Sequence, residues 1–528
     1  MAVHFDSHMS KRALQTTWDL FEGESDRPAL CDVGLAYGAG LRATRRLEQA
    51  EQKRLGQFMT PVAIARFMAR RAVTELGGPT LRILDPAAGS GVLGVAAVQA
   101  LLERAEPPTR IELLLCEIDA RLHAELQATC HRLHVRCAAR GVEFDAQVRI
   151  GDFLLSELAM SQQPCVDLVI ANPPYFKLGK TDPRARAHAY AVRGQPNIYG
   201  LFMAACAALV RPNGMWCFIT PRSWSSGDYF AVVRRHLLER LDLCATHTFE
   251  SRTEHFGDDE VLQEAMITWA RAGAACTQVE IGSSAGARDL GGNRARLCAV
   301  DQVVRRAEGH RLHLPLSDGG IEGLPHTLCD QQMRVFTGPV VAFRAKPWLQ
   351  AEADGETVPL LWMQHVHRMA VRWPLHRKSE HIQVAPESRW MLVPNKVMVL
   401  LRRFSPKEDI RRVTATPYLV DVPGQLIGLE NHLNCIAAVG RDMSANEAIG
   451  LSAYLNSRPV DAYLRAVSGH TQINATDLRR LPVPDRPSLM ALGDEVGCAA
   501  SLERLDEAVD RMLGELLASP SGSKRASG

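Results

Sequence analysis

Short apolar runs alternate with longer stretches rich in alanine and leucine between residue 46 and about residue 275. The runs have the length of strands, and they lack the polar alternation of a strand with one face in water. Such runs are typical of strands buried on both faces. The pattern therefore predicts an α/β domain, a doubly wound parallel sheet with helices on both sides. The predicted strands cover residues 81–85, 111–118, 148–152, 166–171 and 215–220.

The pattern changes on either side of this segment. Residues 1–45 predict a short helical lead-in without a motif. Residues 276–490 carry scattered prolines and short aliphatic runs with little helical period, which predicts a second domain of mixed α+β structure. Residues 491–528 begin as an amphipathic helix and end in a tail, ASPSGSKRASG, whose composition predicts disorder.

The charge and cysteine content exclude several classes of protein. The chain has 61 basic and 59 acidic residues, a net charge of +2, so a surface that binds nucleic acid must be a local patch. Thirteen cysteines without a Cys-x-x-Cys pair indicate reduced thiols rather than a disulfide scaffold or a four-cysteine zinc site. No apolar run approaches the roughly 18 residues of a spanning helix, and the first residues lack a signal-peptide pattern. We therefore expect a cytoplasmic protein that does not bind a membrane.

A glycine-rich turn follows the first predicted strand. Gly89, Gly91 and Gly94 form a G-x-G-x-x-G pattern, and Glu117 closes the next strand, where its carboxylate can accept hydrogen bonds from ribose hydroxyls. The pattern favours a nucleoside-containing cofactor without saying which. In a dinucleotide site the first glycine follows the strand almost at once. Here the four residues 85–88 intervene and begin with a carboxylate, which suits a cationic amino-acid group better than a pyrophosphate. A dinucleotide site and a plain glycine turn stay open.

A second motif, Asn172-Pro173-Pro174-Tyr175, follows the strand predicted at 166–171. Two consecutive prolines make a rigid loop, which presents the side-chain oxygen of Asn172 and the carbonyl of Pro173 as acceptors. An amino group that donates both its hydrogens there loses the conjugation of its lone pair and becomes a nucleophile. Tyr175 offers a flat face for a planar base or amide. An ordinary loop is the alternative.

Together these residues resemble the S-adenosylmethionine-dependent amino-methyltransferases, specifically the adenine-N6 DNA methyltransferases of the gamma arrangement. The resemblance covers about 46–275 and implies a Rossmann-like catalytic domain followed by a target-recognition domain. It implies that S-adenosylmethionine is the cofactor and that duplex DNA is the substrate. It implies that the catalytic loop consists of Asn172, Pro173, Pro174 and Tyr175. It also implies that the cofactor is contacted by Thr60, Pro61, Asp85, Ala87, Gly89, Gly91, Glu117, Ile118 and Asp152. Phe256 is implied to stack on the flipped base opposite Tyr175, with Phe249 as a rival for that role.

The later part of the chain is similar to the BsuBI/PstI group of modification methylases. The similarity lies in 401–408, 411–412, 428–434, 373–374 and 469–474. It implies methylation of the adenine in CTGCAG by one monomer that visits each strand in turn. A restriction nuclease acting on the same site would be encoded separately.

Residues 371–420 hold ten lysines and arginines against four acidic residues. Such a patch can neutralise DNA phosphates and offer guanidinium forks to guanine, although a solvated surface is the alternative. The candidates for DNA contacts are Lys396, Arg402, Arg403, Arg411 and Arg412. Four histidines at 365, 367, 376 and 381 lack cysteine or carboxylate partners at ligand spacing, so we expect no metal site.

The sequence therefore predicts a site-specific adenine-N6 DNA methyltransferase that uses direct transfer and a flipped base. Two other functions stay open. The same loop could methylate the glutamine amide of a protein, or the chain could be an inactive DNA-specificity protein. A dehydrogenase would have no use for residues 172–175.

Overall fold

The computed structural model describes residues 32–44, 59–249, 265–287, 289–290, 294–315, 320–376, 379–405, 409–467, 472–498 and 500–518. The chain divides into two units, Met1–Leu316 and Ser317–Gly528.

A nine-stranded sheet organises the first unit, with the strand order β3-β2-β1-β4-β5-β7-β6-β8-β9. Its strands are β1 (Thr80–Asp85), β2 (Arg110–Glu117), β3 (Glu143–Ile150), β4 (Val166–Ala171), β5 (Val210–Pro221), β6 (Asp242–Phe249), β7 (Ala265–Arg271), β8 (Gln278–Ser284) and β9 (Arg294–Ala299). A separate short pair joins β10 (Val304–Arg305) and β11 (Arg311–Leu312).

Helices cover both faces of this sheet. They are α1 (Asp32–Thr44), α2 (Val62–Val73), α3 (Val92–Leu102), α4 (His123–Ala138), α5 (Glu157–Ser161), α6 (Pro183–Ala187), α7 (Ile198–Ala207), α8 (Ala231–Leu238) and α9 (Val300–Val303).

Alternate residues of the central strands enter two different cores. In β4, Leu168 and Ile170 belong to a cluster with α1 to α4, whereas Val169 and Ala171 belong to a cluster with α7 and α8. This follows from the two-residue repeat of a strand, which sends successive side chains to opposite faces. The predicted α/β doubly wound fold is confirmed.

Three details of the prediction are wrong. The sheet is not wholly parallel, because β7 lies antiparallel between β5 and β6. The predicted boundary at residue 275 cuts through this sheet, since β8 follows it and pairs with β6. The lead-in is not a separate segment either, because α1 contributes Val33 and Ala36 to the first core.

The second unit contains two larger sheets, of orders β13-β23-β20-β21 and β14-β18-β15-β22-β19, and two small pairs, β12-β24 and β16-β17. The strands are β12 (His326–Thr327), β13 (Met333–Thr337), β14 (Leu349–Gln350), β15 (Thr357–Leu361), β16 (Val366–His367), β17 (Ala370–Val371), β18 (His381–Gln383), β19 (Leu392–Pro394), β20 (Met398–Arg402), β21 (Ala415–Tyr418), β22 (Leu426–Leu429), β23 (Leu433–Ala438) and β24 (Pro482–Val483). The helices are α10 (Ala342–Ala345), α11 (Ala445–Leu455), α12 (Arg458–Val467), α13 (Ala475–Arg479), α14 (Arg486–Val496) and α15 (Leu502–Ala518).

The predicted C-terminal helix is two helices, because Gly497 adopts a φ of 65° between α14 and α15. Leu492 and Leu505 place both helices in the core of the second unit rather than in a segment of their own. Within the described part of the chain, every cysteine is a free thiol. The described residues contain no helix with the length and hydropathy of a membrane span.

Candidate functional site: a cavity at the carboxyl edge of the sheet

A cavity opens at the carboxyl ends of β1, β2 and β4, where the strand order reverses between β1 and β4. Ligands of open α/β sheets bind at such a reversal, because the loops that follow neighbouring strands diverge there. Several predicted site residues line the cavity: Thr60, Ala87, Gly89, Glu117, Ile118, Asp152, Asn172 and Pro174. Topology therefore brings together residues more than a hundred positions apart.

The glycine turn shapes one wall of this cavity. Gly89 and Gly91 have φ values of 55° and 87°, a conformation that residues with a Cβ rarely adopt. Gly91 is the residue before α3, and its N–H donates to the carbonyl of Ala88 at 2.7 Å. The two glycines allow the chain to reverse direction close to the cavity. Gly91 itself does not line the cavity, so its role is in the turn.

Glu117 ends β2 as a buried carboxylate facing the cavity. Its two oxygens accept the N–H groups of Gly89 at 2.7 Å and of Asp119 at 2.9 Å. Burial raises the pKa of Glu117, and these two hydrogen bonds counter the rise. The carboxylate is thus held in place against the glycine turn, where it can accept hydrogen bonds from a ligand's hydroxyls.

Asp85 ends β1 and is 1% exposed. Burial raises its pKa to about 7, although backbone N–H groups of Ala87 and Gly94 hydrogen-bond its carboxylate and lower the pKa. Asp85 is not one of the residues that line the cavity, whereas the two residues after it, Pro86 and Ala87, are. A nearby cation would favour its ionised form.

Asp152 follows β3, and its carboxylate accepts the N–H of Leu154 at 3.0 Å. Burial raises its pKa, and the guanidinium of Arg184, at 3.8 Å, lowers it. Arg184 also lines the cavity, lies 5.8 Å from the ring centre of Phe176 and pairs with Asp182 at 2.7 Å. No motif in the sequence pointed to Arg184, which lies in the short helix α6 between the proline loop and α7.

Aromatic side chains form the apolar wall. Phe153 and Phe202 stack with ring centres 5.6 Å apart and an interplanar angle of 21°. Phe153 directly follows Asp152, so the neighbouring motif was the signal that could have found it. The lining residues outside the predicted set are Met59, Pro86, Ala88, Val92, Leu93, Gly151, Phe153, Phe176, Arg184, Ile198 and Phe202. The carboxylate of Glu117 can accept hydrogen bonds from hydroxyl groups, and the aromatic wall can cover a flat ring. Together they fit a nucleoside.

The proline loop begins where β4 ends, so its residues stand at the rim of the same cavity. The side-chain amide of Asn172 donates through Nδ2 to Oγ1 of Thr60 at 3.0 Å. Its Oδ1 accepts from the hydroxyl of Tyr175, which also lies 3.0 Å from the carbonyl of Ile219. Pro173 is buried, whereas Asn172 and Pro174 reach the cavity.

The ring of Tyr175 rests on further aromatic residues. Tyr199 meets it edge to face at 6.0 Å, and Phe230 stacks on Tyr199 at 5.0 Å. Tyr199 is 1% exposed, so this support is part of the core. Burial raises the pKa of the Tyr175 hydroxyl, which therefore stays protonated.

The remaining predicted residues of the first unit have distinct positions. Thr60 is 4% exposed and lines the cavity, whereas Pro61 precedes α2 and its carbonyl accepts the N–H of Ala65 at 2.9 Å. Phe256 lies outside the described residues. Its rival Phe249 is 1% exposed and packs edge to face on His247, so it has no face available to a base.

In the second unit, the five proposed DNA contacts differ in their surroundings. Lys396 is 65% exposed and pairs with Asp442 at 3.0 Å. Arg402 donates to the carbonyl of Val366 at 2.7 Å. Arg411 pairs with Asp506 at 2.6 Å, and Arg412 is 1% exposed. Because a buried side chain cannot reach a duplex, we withdraw Arg412 from the proposed contacts.

Lys396 shares a cleft with residues that the sequence did not indicate. Arg334 is exposed, and its guanidinium lies 4.9 Å from the ring centre of Phe336, two residues along the same strand. Both residues line the cleft together with Lys396 and Arg441. Arg441 is held by the buried Glu447 at 2.5 Å, so Arg334 and Lys396 are the more accessible cations.

The motifs similar to the BsuBI/PstI group meet around Arg403. Its backbone N–H donates to the carbonyl of His432 at 2.8 Å, and its carbonyl accepts the N–H of Ile473 at 2.8 Å. Its guanidinium donates to Oε1 of Gln472 at 3.3 Å. Phe404 meets His432 edge to face at 4.9 Å. Segments that are distant in sequence thus form one cluster.

One of the four histidines has an evident structural role. His365 is fully buried, its Nε2 lies 3.0 Å from Oε1 of Glu380, and its Nδ1 accepts the N–H of Trp362 at 2.9 Å. Both ring nitrogens are therefore used within the core. Among the described residues, no three histidine, cysteine, aspartate or glutamate side chains are grouped as metal ligands would be.

The strand order and the cavity at the carboxyl edge define the class, a Rossmann-like methyltransferase fold. Residues 138–256 match the family model of the Eco57I restriction-modification methylase. The chain is 34% identical to the type II methyltransferase M.BsuBI of Bacillus subtilis over 491 residues, covering 89% of this chain and 95% of that protein. It is 31% identical to M.PstI of Providencia stuartii over 489 residues, again covering 89% and 95%.

Among solved structures, the chain is similar to the enzyme of a DrdV–DNA complex, with 15% identity, a TM-score of 0.49, and coverage of 92% of this chain and 62% of that one. The two curated relatives show the family. The chain belongs to the type II methyltransferases that M.BsuBI and M.PstI represent, and is a DNA methyltransferase of the restriction-modification type.

Proposed function

We propose that the protein transfers the methyl group of S-adenosylmethionine to N6 of an adenine that has been flipped out of duplex DNA. The observation that carries this proposal is the position of Asn172 at the rim of the cavity, directly after β4. An amino group at this rim can donate to Oδ1 of Asn172 and to the carbonyl of Pro173. Its lone pair is then directed away from the ring and toward the cavity.

The cavity fits the proposed cofactor in its donor and acceptor groups. Glu117 accepts from ribose hydroxyls, Asp152 accepts from the amino group of the cofactor's adenine, and the stacked pair Phe153 and Phe202 covers an apolar face. Asp85, next to the cavity-lining residues Pro86 and Ala87, supplies a negative charge that attracts the ammonium group. When bound, the cofactor supplies a methyl group on a sulfonium, already activated for transfer, so the protein acts mainly by positioning.

The protein holds the target adenine by residues of the loop and its surroundings. Extrusion from the stack costs a few kcal/mol. Tyr175 offsets this cost by stacking on the base, and its ring is held from behind by Tyr199. Phe256 stays the proposed second stacking residue. The amino group loses one proton after transfer, and we propose water as the acceptor.

We propose that the second unit recognises the target and that the sequence is CTGCAG, as the similarity to the BsuBI/PstI group implies. Lys396, Arg402 and Arg403 stay candidate contacts, and Arg334, which lines the same cleft as Lys396, joins them. Arg411 is paired with Asp506, so we do not propose it as a DNA contact. One monomer acts on each strand in turn. A separately encoded nuclease would cut the unmodified site.

The proposal is tested on plasmid DNA from cells that express the protein. The plasmid should resist a nuclease that cuts CTGCAG, and single-molecule sequencing should report N6-methyladenine at that site. DNA from cells expressing Asn172→Ala is the matched control and should be cut. Methylation of another adenine site would refute the specificity alone. Methylation of a protein glutamine, with unmodified DNA, would refute the function.

A further inference from the structure

Two cysteines of the first unit lie in contact near the amino ends of neighbouring strands. The Sγ atoms of Cys244, on β6, and Cys276, just before β8, are 3.4 Å apart. Both side chains are half-buried. The two residues are 32 positions apart in sequence, so the sheet rather than a local turn makes the contact. The proposed methyl transfer uses neither thiol, and their contact is therefore a separate feature of the molecule.

Packing in the core explains the other described cysteines of the first unit but not this pair. Those others belong to the two cores or pack against them: Cys116, Cys130, Cys137, Cys165, Cys206, Cys217 and Cys298. Cys244 lies at a bulge of β6, as an extra residue between Leu243 and Ala245 that is not paired with β7. Leu243 and Ala245 therefore enter different cores, whereas Cys244 and Cys276 enter neither. A role other than core packing fits the pair.

The backbone around both cysteines is fixed. β6 and β8 run parallel, and their pairing begins with Ala245 and Glu280. In the turn before β8, the N–H of Ala275 donates to Oδ2 of Asp242 at 3.0 Å. Cys276 directly follows Ala275, so this hydrogen bond and the strand pairing hold the two cysteines side by side. A disulfide has an S–S distance of about 2.05 Å, so small rotations of the two side chains close the remaining gap.

The pair also has the two features that a reactive dithiol requires, access from solvent and a thiol that ionises. Ala275 and Thr277, on either side of Cys276, are exposed, so a small oxidant can reach its sulfur. The thiol of Cys244 donates to Cys276, and this hydrogen bond lowers the pKa of Cys276 and raises the pKa of Cys244. Burial, by contrast, raises the pKa of a core thiol such as Cys217. Cys276 is therefore the nucleophile, since the thiolate is the reactive form.

We propose that Cys244 and Cys276 form a modification site, a dithiol that a hydroperoxide such as hydrogen peroxide oxidises to a disulfide. The sulfur of Cys276 attacks one oxygen of the peroxide, so that an S–O bond forms and the O–O bond breaks. The leaving hydroxide becomes water by taking up the proton that Cys276 released, and Cys276 is then a sulfenic acid. The sulfur of Cys244 attacks this sulfenic acid, an S–S bond forms, and the oxygen leaves as water with the proton of the Cys244 thiol. Two thiols lose two electrons, and one peroxide is reduced to two water molecules.

This site is distinct from the cavity. β7 is antiparallel to both β5 and β6, so β5 and β6 run in the same direction. Cys244, near the start of β6, therefore lies at the edge of the sheet opposite the carboxyl edge. The disulfide joins β6 to the segment before β8 and closes a loop that includes β7. Closing this loop lowers the entropy of the unfolded chain, so the oxidised protein should be the more stable form. Reduction by a thiol reverses the change.

The experiment uses the full-length protein. The protein is reduced, freed of reductant, treated with hydrogen peroxide and quenched with catalase, and its remaining thiols are blocked with N-ethylmaleimide in denaturant. Digestion without reduction, followed by mass spectrometry, should show two peptides joined through Cys244 and Cys276. This product should come from protein that runs as a monomer on a non-reducing gel, and dithiothreitol should restore both thiols. The oxidised protein should melt several degrees above the reduced protein.

Variants separate the roles of the two cysteines. Cys244→Ser should leave Cys276 as a sulfenic acid, which dimedone labels, whereas Cys276→Ser should leave Cys244 unlabelled. Neither variant should show the rise in melting temperature on oxidation. Cys165→Ser is the matched control and should keep the bond between Cys244 and Cys276, since Cys165 is also half-buried but packs against a core. Thermal unfolding of each reduced variant checks its fold, and alanine replaces serine where the fold is lost.

The proposal is wrong if both cysteines carry N-ethylmaleimide after a peroxide treatment that oxidises the exposed Cys329 and Cys498. A disulfide from Cys244 or Cys276 to another cysteine, or one that forms only between two molecules, would also overturn it. The readouts do not involve methyl transfer, so the outcome is independent of the proposed function.

Discussion

The proposed cofactor residues of the first unit and the proposed DNA residues of the second unit occupy different kinds of position. Glu117, Asp152 and Asn172 each follow a strand, and the sheet brings the ends of those strands to one edge. The basic residues at 396–412 lie before strand β20, within it and in the segment after it, so they are not collected at one edge of a sheet. A motif at a strand end therefore predicts which other residues lie near it in the fold, whereas a run of charged residues does not.

The two regions also differ in what holds their polar groups. Around the cavity, buried carboxylates accept backbone N–H groups and still face the ligand site. In the second unit, Arg402 and Arg403 donate to backbone carbonyls, and Arg411 pairs with Asp506. These arginines hold segments of their own unit together. Substitutions in both units test this contrast.

Asn172→Ala should lower the rate of methyl transfer by at least about 100-fold, the cost of losing one preorganised partner of the reacting group. Transfer is followed with a labelled methyl donor on a CTGCAG duplex at saturating cofactor. Binding of S-adenosylhomocysteine should stay within a few-fold of wild type, because the side chain is expected to act on the target. A variant with near-normal turnover would show that this loop does not carry the chemistry.

Some positions in the fold and the site could be predicted from the sequence alone, and others could not. The strand predicted at 166–171 is β4 itself, and Asn172 stands where that strand predicts it. β3 was predicted as 148–152 but spans 143–150, because it is an edge strand with several exposed residues and has no continuous apolar run. Arg184 and the withdrawn Arg412 depend on tertiary surroundings that no local pattern encodes.

The second experiment concerns Asp85, whose pKa burial raises from 3.8 to about 7 in the ligand-free protein. The folded state therefore holds a proton that the unfolded state releases near pH 4. The protonated Asp85 therefore favours folding at low pH, and this contribution to stability is lost as the pH rises toward 7. At pH 8 the folded protein must bury a charged carboxylate, so Asp85→Asn should raise the melting temperature at that pH.

Cofactor binding should lower the raised pKa of Asp85. A bound ammonium group favours the ionised carboxylate, so binding should release a proton and affinity should increase from pH 5.5 to 7 and level off above. Calorimetry in two buffers of different ionisation enthalpy measures that proton. Asp85→Asn should abolish the pH dependence and weaken binding, because the ammonium group loses its attraction to a nearby negative charge. A wild-type protein without proton release would make Asp85 a structural residue of the glycine turn.

The third experiment has the smallest effect and compares two cations of the second unit. Lys396 is 65% exposed and its partner Asp442 is 83% exposed, so Lys396→Ala should change the free energy of unfolding by less than about 1 kcal/mol. If Lys396 contacts a phosphate, the same change should weaken DNA binding at all sites alike and reduce the salt dependence by about one unit of slope.

Arg411→Ala is the matched variant and should behave in the opposite way. Its partner Asp506 is 9% exposed, but that carboxylate also accepts the N–H of Arg458 at 2.8 Å. Without Arg411, Asp506 is only partly paired, so the free energy of unfolding, measured in urea, should fall by about 1–3 kcal/mol. The dependence of DNA binding on salt should stay that of wild type. An Arg411→Ala protein of normal stability with a reduced salt slope would return Arg411 to the DNA surface, and with it the interpretation of the basic run as a continuous binding patch.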